Sequence, residues 1–190
     1  MSAVEVHPLT EDRWPDLVDL FSRRGAAIPG RCWCMYYRQV GTGASVDANR
    51  EALRSLADSD IAPGLLAYDD DSPVGWVSIG PREDFEALRR SPVAKPVDDR
   101  PVWSIVCFFV DRRARGRGVA ARLLDAAVGY ARSNGATLVE AYPIDKEVRS
   151  DNEVAFVGTK PMFDRAGFHE VARRTPTRPL MRRAVRRGRT

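Results

Sequence analysis

Four consecutive arginine and glycine residues form the part of the chain best suited to binding chemistry. Arg115, Gly116, Arg117 and Gly118 follow an apolar run at residues 105–110 and precede apolar residues at helical spacing. The first N–H groups of a helix lack partners, and the helix dipole places positive charge there. Glycine lets the backbone approach an anion closely, and arginine adds formal charge. The pattern therefore predicts a phosphate-binding turn.

Two nucleotide-binding classes match this turn less well. A dinucleotide site needs Gly-x-Gly-x-x-Gly and an acid about 20 residues further on. Counted from Gly116, the third glycine position is Ala121, and Glu140 lies at about the right distance. The strand, turn and helix of this segment lie past the middle of the chain, however, and follow a predicted antiparallel hairpin in the sequence. A nucleoside-triphosphate loop is excluded because the chain has no Gly-Lys-Ser or Gly-Lys-Thr. A pyrophosphate in another ligand fits better.

Hydrophobic periodicity predicts the elements that position the turn. The strand before it, residues 102–110, is apolar on both faces at its end and is predicted to be central in a sheet. The helix after it ends at Asn134-Gly135, a good C-terminal cap. Further strands are predicted at residues 4–6, 65–68, 74–79, 137–142, 168–172 and 178–185. Further helices are predicted at residues 14–21, 47–57, 83–90 and 160–165.

Composition and charge limit the possible classes of protein. The chain has 190 residues, 44% of them hydrophobic and 29% charged, which is typical of a folded domain. No apolar run is long enough to cross a bilayer and no secretory signal is present, so we expect a cytoplasmic protein without a membrane partner. We expect one domain at residues 1–185 and a basic tail at residues 186–190. No nucleic-acid module precedes the tail, so specific nucleic-acid binding is not expected.

An unusual insert at residues 32–37 contains two of the three cysteines and three aromatic residues. It is too hydrophobic for an exposed loop, so it should pack over other elements. The three cysteines have no histidine or further cysteine partners at metal-binding spacing, so they do not predict a metal site. An odd number of cysteines fits a protein of a reducing compartment. We expect Trp33, Cys34, Tyr36 and Tyr37 to border a substrate pocket, although packing alone would also explain them.

Residues 108–124 resemble the central motif of the GNAT superfamily of acetyl-CoA-dependent N-acyltransferases. That motif has Arg or Gln, two variable residues, Gly, one variable residue, and Gly or Ala. Arg115, Gly118 and Ala120 take these places, and Gly167-Phe168 is similar to the ending of the family's last helix. The resemblance implies an α/β (α+β) fold. This would be a single domain whose central mixed, mostly antiparallel sheet is flanked by helices.

The resemblance also implies site residues. The backbone around Gly116 to Ala121 would hold the pyrophosphate of acetyl-CoA, the cosubstrate, and the main chain of Val110 would pair with its pantetheine arm. The Phe108 N–H would face the acyl carbonyl in an oxyanion-hole role. The expected cofactor-binding residues are Phe108, Val110, Arg115, Gly116, Arg117, Gly118, Ala120 and Ala121.

Two departures from the family pattern affect the catalytic acid and base. Many relatives place a tyrosine acid where this chain has Phe163, and some place a glutamate base where it has Ser104. Tyr142, at the end of the strand beside the central one, is the first candidate for a replacement acid. Cys34, Tyr36 and Tyr37 follow.

The leading hypothesis is acyl transfer to a primary amine by direct attack in a ternary complex. A non-catalytic acyl-CoA-binding regulatory module is the alternative. The acceptor is left open among a small amine, an antibiotic, an amino acid and a protein terminus, and a homodimer is possible.

Overall fold

A central β-sheet carries the turn and everything predicted to surround it. The computed structural model describes residues 4–24, 26, 29–39, 44–145 and 154–185. Its strands are β1 (Glu5–Pro8), β2 (Gly64–Asp69), β3 (Ser72–Pro81), β4 (Trp103–Val110), β5 (Leu138–Ala141), β6 (His169–Thr175) and β7 (Arg178–Ala184). Its α-helices are α1 (Trp14–Ser22), α2 (Pro29–Cys32), α3 (Val46–Ala57), α4 (Glu86–Arg90), α5 (Val119–Ser133), α6 (Val154–Val157) and α7 (Lys160–Arg165).

The seven strands that the described residues form lie in the order β1-β2-β3-β4-β5-β7-β6. The central pair β4 and β5 is parallel, and α5 makes the crossover between these two strands. All the other neighbouring strands run antiparallel. The predicted mixed, mostly antiparallel sheet with flanking helices is therefore confirmed.

Hydrophobic clusters cover both faces of the sheet. One contains Phe21 of α1, Trp33 of the insert, and Trp76 and Phe109 of the sheet. The other contains the buried side of α5, as its spacing predicted, together with α7. Gly75 lets α5 approach β3, since a Cβ there would lie 2.9 Å from Val119 Cγ1. The start of α5 is thereby held close to the sheet.

A β-bulge in β4 sets which side chains face which cluster. Pairing with β3 shifts between Ser78 opposite Cys107 and Ile79 opposite Ile105, so Val106 is the extra residue. A bulge places consecutive side chains on one face. Val106 and Cys107 accordingly lie in the cluster with α1, while Phe108 lies in the cluster with α5 and α7. The bulge therefore turns Cys107 toward the insert.

Two sequence-based expectations, the domain boundary and the absence of a membrane span, concern residues that the structure describes only in part. Residues 186–190 are not among those described, so the predicted domain boundary at residue 185 stays a prediction. No helix in the described part of the chain has both the length and the apolar character that crossing a membrane requires.

Candidate active site

The glycine-rich turn is shaped as an open anion cradle. Gly116 and Gly118 have φ of 77° and 79°, in the left-handed region that other residues rarely adopt. A Cβ on either would meet nothing within 4 Å, so the space above them is open. Gly118 is the N-cap of α5 and has no side-chain cap. Arg122 N donates to Gly118 O at 3.1 Å, which leaves the N–H groups of residues 119–121 without partners in the helix.

Arginines of the turn are anchored to neighbouring strands. Arg117 donates to Asp69 at 2.7 Å, and Arg115 Nε donates to the carbonyl of Val110 at 3.2 Å. Asp111 accepts from Arg113 N at 2.9 Å and from Arg23 Nη1 at 3.0 Å. Partial burial opposes ionisation of this carboxyl, but those two donors outweigh it and lower the pKa of Asp111. The turn is therefore positioned before any ligand binds.

The strand leading into the turn has one open edge. β4 pairs with β3 as far as Val110 opposite Gly75, but with β5 only as far as Ile105 opposite Ala141. Beyond β5 the chain pairs elsewhere, since Ile144 N donates to Gly158 O at 3.0 Å. The two parallel strands therefore separate. Among the described residues no strand pairs with the second half of β4 on that side, and α6 packs against β4.

Main-chain groups at this open edge can be identified from the ladder with β3. Asp111 N donates to Val74 O at 2.9 Å, so Asp111 is bonded toward β3. Antiparallel pairs alternate between bonded and non-bonded positions, so Phe109 also points toward β3. The main-chain groups of Phe108 and Val110 then point toward the opening. This orientation agrees with the roles that the family resemblance implies for those two residues.

A cavity of about 490 Å³ lies beside the middle of β4, where Cys107 contributes to its lining. Cys107 and the insert residues Cys32, Cys34, Tyr36 and Tyr37 line one side, with Arg178 at the start of β7. Most of the remaining lining is apolar, and Pro29, Ile144, Phe156 and Val157 contribute to it. A concave, mainly apolar site with few polar groups is typical of a small-molecule pocket.

Two cysteine side chains meet at the cavity wall. Cys34 Sγ lies 3.7 Å from Cys107 Sγ and accepts from Trp76 Nε1 at 3.0 Å. The contact with Cys107 and burial raise the pKa of Cys34 well above that of an ordinary thiol. The neighbouring Cys34 thiol and burial likewise raise the pKa of Cys32. These thiols stay protonated at neutral pH, so they act as packing groups and weak donors rather than as nucleophiles.

The insert is packed as its composition predicted, although its residues have different surroundings. Trp33 is 4% exposed and lies in the core, with its ring 5.7 Å from Trp14 and 5.5 Å from Phe21. Cys34, Tyr36 and Tyr37 line the cavity, whereas Trp33 does not belong to its lining. Trp33 and Cys34 both have positive φ, of 47° and 53°. Such strained backbone is concentrated at functional sites.

Tyr142 lies in a buried polar network behind the cavity. Its hydroxyl donates to Glu140 at 2.5 Å, lies 3.0 Å from Ser104 Oγ and contacts Arg82. Glu140 also accepts from Arg82 Nη1 at 2.6 Å and from Arg182 Nε at 2.7 Å. Burial, followed by the charge of Glu140, raises the pKa of Tyr142 well above its ordinary value. Tyr142 does not belong to the cavity lining.

The two departures from the family pattern are both buried. Phe163 has no exposed surface and packs between Phe108 and Phe168, with ring centroids 6.1 and 5.1 Å apart. Ser104 also has no exposed surface, and its hydroxyl faces Tyr142. Neither side chain can exchange a proton with a ligand in the cavity.

In the described ranges, no group of three or more His, Cys, Asp or Glu side chains is arranged so that it could hold a metal ion.

Sequence reasoning missed three cavity residues that carry or frame polar groups: Cys107, Thr177 and Arg178. Arg178 was predicted only as part of a closing strand. The available signal was one arginine among several in this part of the chain, directly after the turn at residues 176–177, and such an arginine is as typical of a solvated side chain as of a ligand-binding one.

Comparison with known proteins agrees with this architecture. The model of the acetyltransferase (GNAT) family matches residues 31–168, so the chain belongs to that family. No curated protein matches the sequence.

Solved structures show the same fold at low sequence identity. An N-acetyltransferase from Staphylococcus aureus Mu50 is 14% identical, with a TM-score of 0.59 over 97% of this chain and 100% of that one. The Drosophila melanogaster polyamine N-acetyltransferase, which forms N-acetylagmatine, is 13% identical, with a TM-score of 0.58 over 96% and 100%. A chain of the NatC complex bound to Gag peptide and CoA is 14% identical, with a TM-score of 0.54 over 97% and 100%.

Proposed function

We propose that the protein transfers an acetyl group from acetyl-CoA to a primary amine by direct attack in a ternary complex. The observation that carries this proposal is the open edge of β4. It connects an anion-binding turn at one end with an apolar cavity at the other. A long thioester ligand lying along this edge would place its phosphates at the turn and its acyl group at the cavity mouth. Among the similar structures, the NatC chain was solved with CoA.

Each part of the open edge has a proposed task. The N–H groups of residues 119–121 bind the pyrophosphate, helped by the helix dipole. Val110 pairs with the pantetheine amide, and Arg115 then releases the Val110 carbonyl that it covers in the free protein. The Phe108 N–H stabilises negative charge that develops on the acyl oxygen, a contribution of about 3 kcal/mol for one such donor.

The reaction forms a C–N bond as the C–S bond breaks. The amine must be neutral to attack, so the ammonium first loses one proton to water. The nitrogen loses a second proton as the amide forms, and the departing thiolate gains a proton or leaves as the anion. We propose Tyr37 as the proton donor because its side chain lines the cavity. Tyr142 stays the sequence-based alternative, although its hydroxyl is held by Glu140 and Arg82.

The test of the cofactor site compares two glycines that flank α5. Gly118→Asp places negative charge where the pyrophosphate would bind, and we expect it to weaken acetyl-CoA binding by at least about 100-fold. Gly135 also has positive φ, 85°, and open space at its Cβ, but it lies at the other end of α5. Gly135→Asp therefore controls for strain and charge, and its affinity should stay within about twofold of the parent.

Calorimetry measures the affinities, and thiol release with mass spectrometry of the product measures transfer to a panel of amines. If Gly118→Asp folds and binds acetyl-CoA as tightly as the parent, the proposed site is wrong. If the parent binds acetyl-CoA but acetylates no amine, the protein is a binding module rather than an enzyme.

A further inference from the structure

Arg178 brings a positive charge to the apolar cavity, and no carboxylate of the described residues balances it. Its side chain lines the cavity, and Nη2 donates to the backbone carbonyl of Tyr142 at 3.1 Å. Its Nε is buried and makes no hydrogen bond. No carboxylate of the described residues forms an ion pair with this guanidinium, whereas Arg173 and Arg182 on the same hairpin each contact two acids.

The surroundings make this unbalanced charge unfavourable in the free protein. Isoleucine, phenylalanine, valine and proline side chains contribute to the lining, and none of them can solvate a cation. Tyr37 is a second polar neighbour of Arg178, and the two side chains interact by charge and by a hydrogen bond. Burial raises the pKa of Tyr37, and the charge of Arg178 opposes that rise. The phenol is neutral at neutral pH, so the site still lacks an anion.

We propose that Arg178 is a carboxylate-binding residue and that the acceptor is a small amino acid with an apolar body. This inference rests on the proposed acetyl transfer and adds the substrate class. The guanidinium binds the acceptor carboxylate, the apolar wall accommodates the side chain, and the amine points toward the middle of β4, where Cys107 lines the cavity and Phe108 follows it. Arginine suits this task because its planar fork matches a carboxylate.

Charge balance favours a carboxylate over the other acceptor groups. One guanidinium neutralises one monoanion, whereas a phosphate dianion would leave a net negative charge in an apolar cavity. A polyamine would add positive charge next to Arg178, and no acid of the described residues lines the cavity to receive it. A volume of about 490 Å³ also fits a small molecule rather than a folded protein surface.

The experiment compares apolar amino acids with their carboxamides, for example L-leucine with L-leucinamide, as acetyl acceptors. The carboxamide has the more reactive amine at neutral pH because its ammonium pKa is lower, so intrinsic reactivity opposes the expected preference. We expect kcat/KM for the carboxylate to exceed that for the amide by at least about tenfold in the parent. In Arg178→Gln the ratio should fall to about one or below, because only the higher reactivity of the carboxamide amine remains, and Arg178→Lys should recover part of the preference for the carboxylate.

A matched control and a binding measurement make every outcome informative. Arg165, an exposed arginine at the end of α7, provides the control Arg165→Gln, which should keep the parental ratio. The products N-acetyl-L-leucine and N-acetyl-L-leucinamide, titrated into the complex with CoA, measure the same preference without turnover. Thermal denaturation checks that each variant is folded.

The outcomes separate this inference from the proposed function. Equal acetylation of acids and amides, or a preference that survives in Arg178→Gln, would overturn the carboxylate site and leave acetyl transfer intact. Failure of the parent to bind acetyl-CoA would instead overturn the proposed function. If no acceptor is acetylated but the N-acetyl acid binds at least about tenfold better than the amide only when Arg178 is present, the carboxylate site is supported.

Discussion

The glycine-rich turn and the apolar cavity lie at opposite ends of the open edge of β4 and are built on different principles. The turn consists of consecutive residues and exposes its glycines. It presents the backbone N–H groups of residues 119–121, which are available whatever side chains these residues carry. The cavity is assembled from α2, the insert, β4, α6 and the β6–β7 turn. Its character depends on individual side chains. A phosphate group can therefore be bound by the backbone alone, while recognition of one particular acceptor needs individual side chains.

The polar groups of the two regions also differ in solvation. Arg117 and Asp69 at the turn are 36% and 23% exposed, whereas Glu140 behind the cavity is fully buried between Arg82 and Arg182. Exposed pairs contribute little to stability, but loss of one partner from a buried pair leaves an uncompensated charge. The framework behind the cavity should therefore be the more sensitive of the two.

The largest expected effect compares these two sets of charges. Glu140→Gln should lower the free energy of unfolding by about 3–5 kcal/mol, because two buried guanidinium groups lose their shared carboxylate. Arg117→Gln should lower it by less than about 1 kcal/mol. Urea denaturation followed by tryptophan fluorescence measures both. Similar losses of unfolding free energy in the two variants would show that the network behind the cavity is solvated. The two regions would then not differ in the solvation of their charges.

An intermediate effect is expected on the proton donor. Tyr37→Phe should slow single-turnover transfer by at least about tenfold without changing acetyl-CoA affinity, because the thiolate loses its donor. Tyr36 is 61% exposed, and Tyr36→Phe should change the rate by less than about threefold. Tyr142→Phe tests the sequence-based alternative. A tenfold fall in Tyr142→Phe with an unchanged rate in Tyr37→Phe would reverse the assignment.

The smallest effect concerns the basic residues at 186–190. Their removal should leave acetyl-CoA affinity within about twofold, because the proposed pyrophosphate site consists of backbone N–H groups at residues 119–121. Calorimetry at two salt concentrations compares the shortened chain with the parent. A loss of binding would show that these arginines belong to the cofactor site.

The same contrast explains what the sequence could predict. The turn depends on adjacent residues, so spacing alone identified Gly116, Gly118 and the helix after them, and periodicity identified the strands of the confirmed sheet. The pocket depends on residues far apart in sequence. Only a bulge at Val106 turns Cys107 to the cavity, and only the β6–β7 turn brings Arg178 there. No periodicity encodes these placements.

Tertiary contacts can also override a local capping rule. Thr159 has the right position and residue type to cap α7, but its side chain makes no capping hydrogen bond. Its backbone instead forms a bridge with Ile144, which directs the chain after β5 away from β4.

The central claim is that acetyl-CoA binds along the open edge of β4, and residue-resolved amide hydrogen exchange tests it most directly. On addition of acetyl-CoA, the amides of Phe108, Val110 and residues 119–121 should exchange at least about tenfold more slowly. Phe109 is the internal control, since its N–H points toward β3 and should gain no new partner. Protection at Val110 and residues 119–121 without a matching change at Phe109 is the predicted result. Unchanged exchange at Val110 and residues 119–121 in the bound protein would contradict the account.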